Sequence, residues 1–151
     1  GNLGRYEEEI ASYDQALKLK PDKDAAWNNR GIALGNLGRY EEEIASYDQA
    51  LKLKPDKDAA WNNRGIALGN LGRYEEAIAS YDQALKLKPD KDEGRYNKAC
   101  AYALQGKVEQ AIENLQQAIR LDPGKYREMA KTDIDFDKIR QNEQFQALLQ
   151  S

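Results

Sequence analysis

The sequence predicts an all-α chain of stacked helix pairs, and three observations predict it. A 34-residue period runs through most of the chain. Apolar residues within each period recur three or four apart, the spacing of one helical face. Glycine and proline fall at fixed points of the period, where helices must end. Residues 1–26 recur letter for letter as residues 35–60. Residues 27–58 recur as 61–92 with one change, Glu43 becoming Ala77. A weaker copy occupies 92–125, with Gly106, Ala111, Ala118 and Pro123 in phase with Gly72, Ala77, Ala84 and Pro89.

Residues 1–23 form a half repeat, carrying the second helix of a pair without its first. Its helix over Tyr6–Leu19 shows a stripe of Tyr6, Ile10, Tyr13 and Leu17. Full repeats follow at 24–57, 58–91 and 92–125, the last divergent. In the first of them, a helix from about Asp24 to Asn36 places Trp27, Gly31 and Leu34 on one face. Asp24 is the expected N-cap, because its carboxylate can accept from an orphan N–H. The turn Leu37-Gly38-Arg39 offers a glycine for the left-handed conformation that closes a helix. The second helix, about Tyr40 to Leu53, carries Tyr40, Ile44, Tyr47 and Leu51 on one stripe. Acids in its first turn (Glu41, Glu42, Glu43) and Lys52 near its end both suit the helix dipole. Pro55 stops it. Residues 126–151 break the period and read as capping helices: one near 125–131, a loop, and a last helix near 135–149. Ile139, Phe145, Leu148 and Leu149 are expected to cover the open end of the stack, as terminal units of repeat proteins do.

These residues resemble the tetratricopeptide repeat (TPR), whose pattern is W-x2-L-G-x2-Y…A-x3-F…P. Trp27, Gly31, Tyr47 and Pro55 meet it, as do Trp61, Gly65, Ala77, Tyr81 and Pro89. Departures are Arg30 and Arg64 for leucine, Leu34 and Leu68 for the first tyrosine, and Glu43 for alanine. The divergent repeat has Arg95, Tyr102 and Leu115 at the tryptophan, tyrosine and phenylalanine positions. The resemblance implies a right-handed superhelical solenoid of helix–turn–helix (TPR) repeats with a C-terminal helical cap. First helices would line a concave groove. The tail after Pro123 is similar to the closing segment of some bacterial arrays of this family.

Composition removes much chemistry. The chain of 151 residues has no histidine and one cysteine. Zinc sites built on Cys and His, an internal disulfide and histidine-based acid–base catalysis are therefore excluded. Lys and Arg total 23 against 26 Asp and Glu, a net charge of −3, so no basic nucleic-acid footprint is expected. No apolar run approaches the roughly 18 residues of a membrane span, and no basic-then-apolar leader opens the sequence, so a cytoplasmic chain is expected. Asp133, Asp135 and Asp137 alternate as in a calcium loop, but Lys138 and Gln144 stand where that loop needs Gly and Glu. They read instead as caps of a helix starting near Asp135 or Asp137. Cys100, set among alanines, reads as a small packing residue. The expectation is a chain with no catalytic residues, no metal and no cofactor.

Binding is the better-supported chemistry. Asn28 and Asn29 recur as Asn62 and Asn63, with Tyr96 and Asn97 in the divergent copy. Asparagine costs a helix interior up to about 0.7 kcal/mol relative to alanine, so adjacent pairs suggest a use beyond helicity. An amide both donates and accepts, and a row of amides can hold an extended peptide by its backbone. Asn29, Asn63 and Asn97 resemble the asparagine ladder in the tetratricopeptide superhelix of O-linked N-acetylglucosamine transferase. The positions of a dicarboxylate clamp of the chaperone-binding type read Asn28, Ile32, Asn63, Glu93 and Asn97, and only Asn63 suits it, so that clamp fails. Arg95, Lys98, Arg127 and Lys131 nevertheless form a second candidate set, for an acidic peptide terminus. The expected function is a protein–protein interaction scaffold for a protein or peptide partner. The alternative is a non-catalytic docking or regulatory segment of a larger enzyme. Two further expectations concern packing. Glu43, at the close approach of two helices opposite Gly31, should pair with Arg30 or Arg64. The half repeat should self-associate weakly.

Overall fold

Helix ends follow the sequence chemistry closely. Gly38, Gly72 and Gly106 adopt φ of 74°, 78° and 75°, the left-handed region that glycine enters without steric cost. After the helix Asp24–Asn36, the Gly38 N–H donates to Gly35 C=O and the Arg39 N–H to Leu34 C=O, both at 3.0 Å. This six-to-one and five-to-two pair is a Schellman closure. The same pair recurs at Gly72-Arg73 and Gly106-Lys107. The computed structural model describes residues 2–150. Among these, nine α-helices and one 3₁₀ segment occur and no strand. They fold as two compact units, one ending at Arg73 and one beginning at Tyr74.

The first unit holds α1 (Asn2–Leu19), α2 (Asp24–Asn36), α3 (Tyr40–Leu53) and α4 (Asp58–Asn70), each packed on the next. Its core contains Ile10, Leu17, Leu34, Tyr47 and Ala50. Gly31 permits the close approach of α2 and α3: a Cβ there would lie 2.5 Å from Tyr47 Cε1. Neighbouring pairs are pinned in register. Arg30 Nε meets Asp14 Oδ1 at 2.6 Å and Arg64 Nε meets Asp48 Oδ1 at 2.7 Å. Helices α1 and α3 share one sequence over 6–19 and 40–53. Yet Ser46 and Tyr47 are buried, whereas Ser12 is exposed and Tyr13 half-buried, because α3 lies against both α2 and α4.

The second unit holds α5 (Tyr74–Leu87), α6 (Asp92–Leu104), α7 (Val108–Leu121), α8 (Pro123–Thr132), a 3₁₀ segment Ile134–Ile139 and α9 (Glu143–Gln150). Tyr96, Leu115, Tyr126, Phe136 and Phe145 form its core. The rings of Tyr96 and Tyr126 stack at 5.0 Å, and Phe136 and Phe145 lie 5.4 Å apart. Ile139 and Phe145 are buried and Leu148 and Leu149 pack on the same cluster, as expected of the closing segment.

Four sequence expectations are corrected. Asp24 is not an N-cap: Lys23 holds that position without a side-chain bond, and the Asp24 carboxylate takes Lys57 Nζ at 3.1 Å. That hydrogen bond, opposed by some burial, holds the Asp24 carboxyl below its ordinary range. The single last helix near 135–149 is two pieces, because Asp133 and Asn142 each start a new turn. Asp133 accepts from the Asp135 N–H at 3.0 Å, and Asn142 Oδ1 from the Phe145 N–H at 3.1 Å. The cap therefore precedes Asp135 and Asp137. Glu43 faces Gly35 rather than Gly31 and pairs with neither arginine, since Arg30 and Arg64 are held by Asp14 and Asp48. Its partner is the Tyr47 hydroxyl, which donates to Oε2 at 2.8 Å.

Candidate functional site

A helical face three and four residues apart puts Asn29, Ile32 and Asn36 in one row on α2. The identical sequence on α4 puts Asn63, Ile66 and Asn70 in the matching row. Ile32 is 43% exposed and Ile66 41%, large apolar side chains left at the surface between amides. Between the rows lies a pocket of about 260 Å³, with Gly35, Tyr40, Glu43 and Tyr47 completing its lining. Asn29 stands exposed beside this row, and Asn63 lines the pocket. Asn28 is instead buried, with its Oδ1 lacking a hydrogen-bond partner. Asn62 is half-buried and engaged in contacts of its own.

Glu43 is the charged group of the pocket lining. It is 7% exposed, and its Oε1 has no hydrogen-bond partner. Burial pushes its carboxyl above the ordinary range, against the opposing effect of the Tyr47 hydrogen bond. Burial and the adjacent carboxylate push the Tyr47 phenol up as well. The sequence alone marks Glu43 for pairing with an arginine and does not mark Asn36 or Asn70, or Ile32 and Ile66 as exposed apolar residues of a binding face. Their signal was present, as apolar and amide residues three and seven positions after Asn29 and again after Asn63.

The same face of α6 in the second unit is built differently. Its residues in phase are Asn97, Cys100 and Leu104. Here the 3₁₀ segment packs on α6. Tyr96, expected to face a groove, is 4% exposed, and its hydroxyl donates to Asp133 Oδ2 at 2.7 Å. The Cys100 thiol donates to the same oxygen at 3.8 Å, and Lys138 Nζ donates to Leu104 C=O at 2.9 Å. Tyr96 is thus a core residue, taken inside by the returning chain. Asn97 remains half-buried and has contacts of its own. Cys100, Asp133 and Asp135 bring one donor atom each within 4.8 Å of one another. Burial and these two carboxylates push the thiol up, which favours its protonated form as a hydrogen-bond donor to Asp133. Burial, then Asp133, pushes the Asp135 carboxyl up too.

Each member of the second candidate set, for an acidic terminus, has surroundings of its own. Lys98 is in phase with Arg30 and Arg64 and makes the same register clip, 2.7 Å from Asp82. Arg127 Nε donates to Leu148 C=O at 3.2 Å, and Lys131 pairs with Glu128 at 2.7 Å. Arg95 is half-buried in a shallow concavity with Gln117, Arg120 and Leu121.

Models of the tetratricopeptide repeat match residues 1–60, 59–91 and 93–125. The chain belongs to the tetratricopeptide repeat family. Three solved structures of MamA show the same helical solenoid fold. One covers 97% of this chain and 82% of its own, at 20% identity and a TM-score of 0.81. A second covers 97% and 88%, at 20% identity and 0.79. The third, residues 41 to the end of MamA from Desulfovibrio magneticus RS-1, covers 97% and 85%, at 25% identity and 0.78. No curated protein matches the chain by sequence. Tetratricopeptide repeats are protein-interaction scaffolds, and this chain has that architecture. No helix among the described residues is long and apolar enough to cross a membrane.

Proposed function

We propose that this tetratricopeptide scaffold binds an extended peptide of a partner protein on the amide-and-isoleucine face of α2 and α4. The carrying observation is the exposure of Ile32 and Ile66 between Asn29, Asn36, Asn63 and Asn70. Apolar surface in such a row favours contact with a partner, and the flanking amides can pair with both N–H and C=O of its backbone. The amides sit on helices packed against α3, so less ordering is needed on binding than for groups on loops. Asn97 is the residue of the same phase in the second unit, where the proposal is that it too contacts a partner's backbone. For Arg95 the proposal is contact with an acidic group, its neighbour Lys98 being committed to Asp82.

The test is a paired substitution, Asn29→Ala with Asn63→Ala. Each lost hydrogen bond should weaken binding by about 0.5–1.5 kcal/mol. Thermal stability should stay nearly unchanged, because both side chains lie toward the surface. Affinity for a peptide mapped by array, measured by calorimetry, reads the outcome. Unchanged affinity leaves the amides with a role inside the stack alone.

A further inference from the structure

We infer that the pocket between Ile32 and Ile66 receives one cationic side chain of the lysine type from the bound peptide, with Glu43 at its base as charge partner. This deepens the peptide-binding reading above and rests on it. The pocket, at about 260 Å³, is smaller than the roughly 300–1,000 Å³ of small-ligand sites and suits a single side chain. Its composition matches a lysine from stem to tip. Ile32 and Ile66 offer apolar walls to a four-carbon stem, and such stems pack on apolar surface while the charge reaches a polar group. Asn36, Asn63 and Asn70 supply amide oxygens, and an ammonium has three protons to donate.

Glu43 supplies the charge. Its Oε2 is taken by Tyr47, while its Oε1 is buried and unpaired. Among the described residues of the first unit no cation pairs with Oε1: Arg30 bonds Asp14 and Ser46, and Arg64 bonds Asp48. An acidic side chain would meet a like charge here, and an apolar one would leave Oε1 orphaned, which is costly. The following copy has Ala77 in place of Glu43. Among the full repeats the preference for a cation therefore belongs to one, and it sets the register of the peptide rather than its affinity at every repeat.

Two peptides test this, acetyl-Ser-Ala-Ser-Lys-Ser-Ala-Ser-amide and the same peptide with norleucine for lysine. Norleucine keeps the stem and removes the charge. Titration is followed by amide chemical shifts at Gly35, Glu43 and Asn63. The lysine peptide should bind wild type about ten-fold more tightly than the norleucine peptide, as one charge-assisted contact predicts. Glu43→Gln should abolish that difference. Glu43→Ala should do the same, and it installs the residue the next copy already carries. Asn29→Ala, outside the pocket lining, should weaken both peptides alike. Equal binding of the two peptides to wild type overturns the cation pocket and leaves the amide face standing. A lysine preference that survives in both Glu43 variants also overturns it. Binding of neither peptide overturns the pocket and the amide face together.

Discussion

Gly35 and Gly69 share one sequence context and differ in what faces them, which makes a decisive pair of substitutions. A Cβ at Gly35 would lie 2.6 Å from Glu43 Oε2, 2.8 Å from its Cδ and 2.9 Å from its Oε1. At Gly69 nothing among the described residues lies within 4 Å. Replacing glycine by alanine inside a helix gains roughly 0.5–1 kcal/mol. Gly69→Ala should collect that gain, reduced somewhat because Gly69 lies in the last turn of α4. Gly35→Ala must displace a buried carboxylate already bonded to Tyr47. Overpacking of this kind costs about 1–3 kcal/mol, so the net change should be a loss of about 0.5–2 kcal/mol. Adding Glu43→Ala removes the obstacle, and the double variant should recover the helical gain. The coupling between the two positions should then be about 1–3 kcal/mol, well above the scatter expected of independent sites. Urea unfolding of the four species, compared through their midpoints, measures it. If Gly35→Ala alone stabilises the protein, or the coupling is near zero, the carboxylate does not sit against Gly35 and the pocket argument loses its base.

Two further outcomes follow from the same unit. Burial raises the Glu43 pKa above its ordinary value of 4.5, so the folded chain holds this proton more tightly than the unfolded chain. Stability from this group is present below that value and is lost as pH rises through the folded pKa. Glu43→Gln should therefore be more stable than wild type at pH 7, with the gap closing as pH falls through the folded pKa toward 4.5; thermal melts from pH 7 to below 4.5 check it, and a gap independent of pH would refute it. Separately, the face of α1 carrying Ser12 and Tyr13 is less covered than the identical face of α3, and weak pairing of two copies through it is expected. Sedimentation velocity from low to high micromolar protein should show mass rising with concentration; a monomer throughout removes the idea.

The limits of sequence reading are clearest in the divergent repeat. Tyr96 carries the groove position by phase, and Lys98 carries a free-looking charge. Both readings assumed that every first helix keeps the surroundings of the first copy. Whether it does depends on where the chain returns, and Asp133 returns 37 residues later to take the Tyr96 hydroxyl. Glu43 shows the same limit. Its departure from alanine is visible in the letters, and so is Tyr47 four positions on along α3, whereas its contact with Gly35 is decided by how α2 packs on α3.

Within the repeats, the approximate helix spans, the left-handed glycine turns and the order of helix pairs were legible in the sequence by itself. These depend on interactions within about four residues: hydrogen-bond ladders, the freedom of glycine at φ near 75° and the missing N–H of proline. The period then made each local solution recur. Tertiary structure alone decided which polar groups stay paired and which are left over. It gave Arg30, Arg64 and Lys98 to the aspartates of the preceding helix, buried Asn28, closed α6 with the 3₁₀ segment and left Glu43 Oε1 without a donor. Those outcomes depend on contacts 16 to 37 residues apart. A local pattern constrains such contacts only through packing, because side-chain partners compete across a fold for the few positions that bring them within hydrogen-bond reach.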